Sequence, residues 1–419
     1  MDKDNDNIIH ETSGVQPFPE PQETEKDTSE TTVLKANATK QTAKQTKHFE
    51  RYTIRDIKGL DPRKRKMFLT WVIASLVIGI TLLTCMVASL ISDSSAEKDT
   101  WYENNTEYYT QERTIAEDKA AAHDSTNVTV GTYVNYINNL SIKDSSYRVT
   151  MLVWFRWDGN PDLDMANNFH IYKGYINKRE ILTESNVGDT HYQLTRIDVT
   201  LNKVFYTSRF PLESHQLRIF VESEYDATEV LLVGDTENSG VNESANLAGY
   251  EVKDIQFANT AYTYPSTESD PTLIYPTTDS EYMTAITVGR AGIGLYVKCF
   301  IAMYGTTLWV LIMLYICGHH RVDPLGMIPG ALFGTVSNIM VGAALLPDAL
   351  DLGLLEFVNI WGIMTIVMVA IYIIQINNIR SEYGRKDEAF SRFFGRAMFY
   401  VALVLAIAGN VILPLSAFL

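Results

Sequence analysis

Five apolar runs constrain this chain more than any other feature. A helix needs about 20 consecutive apolar residues to cross roughly 30 Å of hydrocarbon. Runs of about that length occupy 67–91, 293–317, 325–346, 357–376 and 398–418. The stretch between the first and the second is polar, rich in Tyr, Thr, Asn and Asp. The chain is therefore divided between lipid and water, which is why a hydrophobic fraction of 46% looks ordinary.

Lys and Arg in the short flanks set an orientation. Arg63, Lys64, Arg65 and Lys66 precede the first run, which puts the N-terminus in the cytoplasm. His319, His320 and Arg321 follow the second run, on the inside. The loop with Asp348, Asp351 and Glu356 has no Lys or Arg and is expected outside. Arg380, Arg385, Lys386, Arg392 and Arg396 return the chain to the inside, and the C-terminus ends outside. About 66 residues precede the first run, too many for a signal peptide, so it reads as a retained anchor. Residues 1–60 read as a disordered cytoplasmic tail, available to a cytoplasmic partner.

Between Trp101 and Ala285 there are 28 acidic and 13 basic residues, a net charge of −15. An acidic domain beside a membrane raises the local cation concentration; solubility alone also explains it. No basic cluster points to nucleic acid. Cys85, Cys299 and Cys317 all lie in or beside apolar runs, so the outer domain is disulfide-free, which favours a bacterial inner (plasma) membrane. Residues 92–126 read as a linker or short helix. From Asn127 onward the pattern changes to period two, as in a half-buried strand. Strands are expected over 127–137, 147–157, 191–198, 201–207, 216–222, 229–233, 250–259 and 281–287. Many short strands separated by turns predict an antiparallel β-sandwich over 127–289. No nucleophile elbow, metal spacing or phosphate loop is present, so neither an enzyme nor a cofactor or metal is expected.

The segment Phe210-Pro211-Leu212-Glu213, followed by Gln216, is similar to the Phe-Pro-Phe-Asp-x-Gln signature of pentameric ligand-gated ion channels, the Cys-loop receptor superfamily. Residues Ile142 to Asp144 and the strand ending in Trp157 resemble that family's first hairpin. Arg290 precedes the second apolar run where the family places a basic residue, and Leu346-Pro347-Asp348 closes the third. The resemblance covers roughly residues 127–419 and is to the prokaryotic type, which lacks the cysteine pair around the loop. It implies an outer β-sandwich that receives a ligand, a four-helix membrane domain over 290–419, and a homopentamer around a pore. The helix at 67–91 and the tail are additions to that plan. Conduction of ions, and a non-conducting sensor or scaffold of the same fold, both remain open.

Anchored on Leu346-Pro347, the segment of about 324–346 becomes the pore helix. One face presents Gly326, Gly330, Phe333, Ser337, Met340 and Ala344 at spacings of three and four, with Asp323 at the cytoplasmic mouth. An acidic ring would favour cations, and a ring of phenylalanines can gate by dewetting. The competing reading is packing: small residues at this spacing suit tightly packed membrane helices, and Asp323 before Pro324 can cap a helix. His319 and His320 suit a membrane boundary or a pH sensor.

The resemblance places the agonist under the loop joining the last two strands, here residues 261–282. Tyr262, Tyr264 and Tyr275 lie there and could enclose an ammonium group by cation–π attraction. It also brings Asp144, Phe210, Pro211, Glu213, Arg290, Pro347 and Asp348 to one coupling interface, with Arg290 paired to Glu213. The ligand itself, a small molecule or an ion, is not readable.

Overall fold

The computed structural model describes residues 57, 60–102, 105–245, 247, 249–267, 276–320, 322–346, 352–383 and 388–418. The expected tail lies almost wholly outside them, as do Tyr275, Pro347 and Asp348.

Among the described residues five helices are long and apolar enough to cross a membrane, and the chain is a membrane-embedded multi-pass protein. They are α1 (Pro62–Asp99), α3 (Gly294–His320), α4 (Ile328–Leu345), α5 (Leu354–Tyr383) and α6 (Glu388–Ser416). A 3-10 turn, Leu325–Met327, leads into α4, and Pro329 lies in the first turn of that helix, where its missing N–H costs nothing. Most of these helices overrun their apolar runs, because a helix stays hydrogen-bonded after its side chains turn polar.

The helix α3 touches α4, α5 and α6. Gly318 and Gly395 let α3 and α6 approach backbone to backbone; a Cβ on Gly318 would lie 3.2 Å from the Gly395 carbonyl carbon. The additional helix α1 docks on α5 and α6. Its Phe68 ring sits 5.2 Å from that of Phe393, Trp71 packs edge-on to Tyr372, and the Tyr372 hydroxyl donates to Ser75 Oγ at 2.5 Å.

The outer domain holds β1 (Thr126–Ser141), β2 (Ser146–Asp158), β3 (Phe169–Ile171), β4 (Gly174–Val187), β5 (Thr190–Asn202), β6 (Ser214–Asp226), β7 (Val230–Gly234), β8 (Gly240–Val241), β9 (Tyr250–Thr263) and β10 (Thr278–Arg290). One sheet has the order β4-β5-β2-β1-β7, with β8 also on β1; the other has the order β3-β6-β10-β9. Their facing residues, among them Val130, Phe155, Ile219, Tyr282 and Ile286, form a core continuous with Cys299, Phe300, Leu354 and Leu355 of the helices.

Two expectations need correction. The sandwich is not antiparallel throughout: β7 and β8 pair with β1 in parallel, while every pairing in the β3-β6-β10-β9 sheet is antiparallel. The chain reaches β7 from the opposite sheet, so no hairpin fixes its direction. Residues 201–207 are not a strand of their own. Leu201 and Asn202 finish β5, and the chain leaves the sheet at Lys203 to cross to the other one. Over 92–126, expected as a linker or short helix, the structure has helix. The helix α1 runs on to Asp99, and α2 (Thr106–His123) packs against β9, β10 and β7.

That second helix changes the burial of the sheet beneath it. Arg113 of α2 is buried and donates to the Leu232 carbonyl at 2.8 Å, and Thr263 donates to Glu112 at 2.8 Å. Every residue of β10 before Arg290 is buried, because α2 covers one face and the core covers the other. On the α2 side Met283 and Ala285 meet Ala258, Tyr102 and Phe220.

Candidate functional site

The loop from Lys203 to Glu213 is where the sheets meet the helices. Phe210 and Pro211 are joined by a cis peptide bond, and Phe210 is buried. Two turns fold the loop back on itself: Phe210 N donates to the Thr207 carbonyl at 2.9 Å, and Leu212 N to the Arg209 carbonyl at 2.8 Å. This directs Glu213 inward, where it is fully buried. A buried carboxylate needs a countercharge, and the last residue of β10 supplies it.

Arg290 donates Nε to Glu213 Oε1 at 2.7 Å, and its Nη2 lies 2.5 Å from the same oxygen. The Tyr250 hydroxyl donates to that oxygen at 3.3 Å. The guanidinium also lies 4.0 Å from the Tyr250 ring centroid and 5.5 Å from that of Phe210. Burial and the Glu213 charge push the Tyr250 hydroxyl well above its usual range. His215 Nε2 lies 3.9 Å from Glu213 Oε1. Burial, then Lys203, Arg290 and Arg209, hold His215 neutral, with its pKa lowered to about 3.

The same loop holds the membrane helices on its other side. The Leu354 N–H, which begins α5, donates to the Ser208 carbonyl at 2.7 Å. A Cβ on Gly353 would come within 2.8 Å of that carbonyl oxygen, so only glycine permits the approach. Arg290 stands four residues before α3, reached through Gly292 at φ +90°. The loop is thus fixed both to β10, which runs into α3, and to the start of α5.

The structure brings Phe210, Pro211, Glu213 and Arg290 together. Asp144 lies in the exposed β1–β2 turn, where its carboxylate accepts from Ser141 Oγ at 2.7 Å, and the neighbouring Ser145 carbonyl accepts from Lys203 N, at the start of the loop, at 2.8 Å. Pro347 and Asp348 fall outside the described residues. Sequence reasoning missed Tyr250, His215, Ser208 and Gly353, since none carries a motif; each is defined by what folds against it.

On α4 the buried residues are Ala331, Thr335, Asn338 and Gly342, spaced by four, three and four. Asn338 donates to Asn359 Oδ1 of α5 at 2.7 Å. The opposite face, with Gly326, Gly330, Phe333, Ser337, Met340 and Ala344, is exposed, Phe333 at 75%. The packing alternative can be examined glycine by glycine. A Cβ on Gly334 would meet Thr306, and one on Gly342 would meet Leu355, but one on Gly326 or Gly330 would meet nothing within 4 Å. Asp323 is exposed and accepts from the Leu325 N–H at 3.1 Å, capping the turn.

Tyr262 and Tyr264 do lie together, with ring centroids 5.0 Å apart, and Tyr172 is 5.1 Å from Tyr262. Tyr275 lies outside the described residues. Beside the pair is a set of carboxyls that the sequence did not single out. Glu222 and Glu281 are directly opposite in the β6–β10 ladder, as are Asp226 and Asp279. Tyr264 donates to Glu222 at 3.0 Å, His170 Nε2 lies 3.0 Å from the other Glu222 oxygen, and Thr260 donates to Glu281 at 3.1 Å. Burial, then the Glu222 charge, raises the pKa of Glu281 to about 8 and that of Asp279 to about 7. The hydrogen bond to Glu222 raises that of His170.

Among the described residues no group of three His, Cys, Asp or Glu is placed to hold a metal ion, and the three cysteines are free thiols. His319 stacks on Tyr315 at 4.0 Å, an arrangement that anchors the ring at a helix end. No protein-family model matches this chain, and no curated protein is similar to it.

Proposed function

We propose that this chain is one subunit of a pentameric receptor of the ligand-gated ion-channel kind, cation-permeable and gated through its outer β domain. The observation that carries the reading is the junction around Glu213. One buried carboxylate is held by the residue leading into α3, and the loop that carries it is bonded to the first residue of α5. A movement of β10 or of the loop is therefore transmitted to two membrane helices. A ligand opens such a pore only through its higher affinity for the open state.

The surface of α4 supports assembly around an axis. Only 22% of its most apolar window is buried within the chain, against 56% for α5. The α1 helix is covered still less, at 11%, and faces lipid in this reading. Gly330 and Ser337 on the exposed face of α4 instead suit close approach by copies of itself, whose identical contacts cyclic symmetry closes. In this reading Phe333, Ser337 and Met340 face the axis and Asp323 the cytoplasmic mouth. The same reading puts the positively charged flanks inside, so the residues before α1 are cytoplasmic and the sheets lie outside a bacterial inner membrane. Lipid and the other subunits are the expected partners, with a cytoplasmic partner for the tail.

A second reading, a non-conducting sensor of the same fold, is favoured by one feature: the Asp323 carboxylate already serves as a cap for the turn before α4. Planar-bilayer recording of purified protein across pH and cation gradients separates the two. Cation-selective currents made constitutive by Phe333→Asp, which wets the constriction, or altered by Asp323→Asn support the channel. Silence from intact pentamers under every condition favours the sensor, and particles without five-fold symmetry would overturn both.

A further inference from the structure

Below Phe220 no strand among the described residues pairs with this edge of β6, because β3 pairs only with Val221–Ser223. Between this edge, the end of α1 and the start of α2 lies a cavity of about 550 Å³. That is within the size range of small-molecule sites, roughly 300–1,000 Å³. Of Tyr262 and Tyr264 only Tyr262 lines it, and the walls given by the end of α1 and the start of α2 lie before residue 127, outside the span of the resemblance.

The cavity has an apolar wall and a polar end. The wall is made by Tyr109 and Phe220, stacked with centroids 6.3 Å apart, and by Tyr172, edge-on to Phe220 at 6.2 Å. The polar end is formed by Lys203, Gln216 and Arg218. Arg218 is held in place by Tyr109, whose hydroxyl accepts from Nη1 at 2.7 Å, and by the Thr100 carbonyl. Gln216 is 1% exposed, and among the described residues neither its amide nitrogen nor its amide oxygen has a hydrogen-bond partner. A buried polar atom left in that state costs about 1–3 kcal/mol, which a ligand group can relieve.

The charge is the reverse of its surroundings. Acidic residues outnumber basic ones by 28 to 13 between Trp101 and Ala285. The cavity lining instead has three cationic side chains, Lys173, Lys203 and Arg218, and one carboxyl, Glu281. Glu281 keeps its proton up to about pH 8, so at neutral pH it does not repel an anion. An ammonium ligand, suggested by Tyr262 alone, would meet these three cations.

We propose that this cavity binds a small organic carboxylate with an aromatic or apolar body. The carboxylate sits at the Lys203–Gln216–Arg218 end and the body lies against Tyr109, Tyr172 and Phe220. The assignment rests on the proposed function only in taking the outer domain to receive a ligand.

The test is ligand-detected NMR on the purified full-length protein in lipid nanodiscs, with benzoate, benzyl alcohol and benzylamine as probes. Benzoate is expected to bind saturably, and the neutral and cationic probes roughly tenfold or more weakly, the cost of losing a charged hydrogen bond. Lys203→Gln and Gln216→Leu should each weaken benzoate by a similar factor, and Lys203→Arg should retain it; thermal melts establish that each variant is folded. Tighter binding of benzylamine, silence of all three probes, or benzoate binding indifferent to both folded variants would overturn the proposal. No current enters this measurement, so a non-conducting protein leaves a positive result standing, and absence of benzoate binding leaves the pore reading standing.

Discussion

Arg290 and Glu213 form an ion pair in which the carboxylate is fully buried and the guanidinium only 14% exposed. Such a pair is costly to break from one side. Removing one partner leaves the other charged and desolvated, typically a loss of about 3–5 kcal/mol, whereas replacing both with apolar residues is often neutral. Arg290→Met and Glu213→Leu should therefore each lower the thermal midpoint strongly, and the double variant should recover much of the loss. If the receptor reading holds, the double variant folds and assembles but no longer links ligand binding to current. Additive losses in the double variant would mean that the pair does not act as a unit.

The second fastening of the same loop is tested by Gly353→Ala. Its Cβ would lie 2.8–3.0 Å from the Ser208 backbone, and backbone cannot step aside as a flexible side chain can. Overpacking of this kind costs about 1–3 kcal/mol. Gly326→Ala and Gly330→Ala, where a Cβ meets nothing within 4 Å, should leave the stability of the isolated subunit within about 0.5 kcal/mol. Chemical denaturation of the three variants in detergent gives the ranking. Equal losses at Gly353 and Gly330 would show that contact with the loop is not what sets the effect.

Much of this architecture was legible in the chain because it rests on local patterns. All five membrane helices stand out as apolar runs, and β1 and β2 as alternations. The strand β4 did not, because Gly174–Val187 is a mostly exposed edge strand with polar residues on both faces, and so lacks a period. Nor was the role of α2 visible: only the fold reveals that its Arg113 and Tyr109 face a sheet. At the junction, the motif led to Phe210, Glu213 and Arg290. Tyr250, His215 and Gly353 reach the same place from distant parts of the chain, so no spacing could announce them. The carboxyls Glu222 and Glu281 were hidden for the same reason, since their opposition depends on the β6–β10 register.

Those carboxyls predict how stability varies with pH. An acid whose folded pKa is raised keeps a proton that the unfolded chain releases. Between the unfolded value, about 4, and the folded one, stability therefore falls as pH rises. For Asp279 and Glu281 this window closes at about pH 7 and about pH 8. His170, with a raised pKa, acts with the same sign above the ordinary histidine value of 6.5. His215 acts oppositely: with its pKa lowered to about 3, it adds stability as pH rises to 6.5 and nothing beyond. The decline should thus be shallow below pH 6.5 and steeper from there to about pH 8. Thermal midpoints of the full chain across pH 5–9 measure it, and Glu281→Gln should flatten the steep part. A midpoint that climbs through that window would contradict the burial of these acids.

Inside the membrane the corresponding test is Asn338, whose amide donates to Asn359 between α4 and α5. Both side chains are buried, so replacing one with leucine strands the other amide in an apolar setting. Interhelical hydrogen bonds of this kind contribute about 0.6–2 kcal/mol. Asn338→Leu or Asn359→Leu alone should lower stability by about that amount. The pair of leucines should cost less than the sum, because no amide is then left unpaired. A double-mutant cycle on purified protein measures the coupling, and a value near zero would mean that Asn338 is satisfied by water instead. Since the face opposite Asn338 presents Phe333 and Met340, losing this bond also frees α4 to rotate. If the receptor reading holds, that should appear as altered gating with the ion selectivity unchanged.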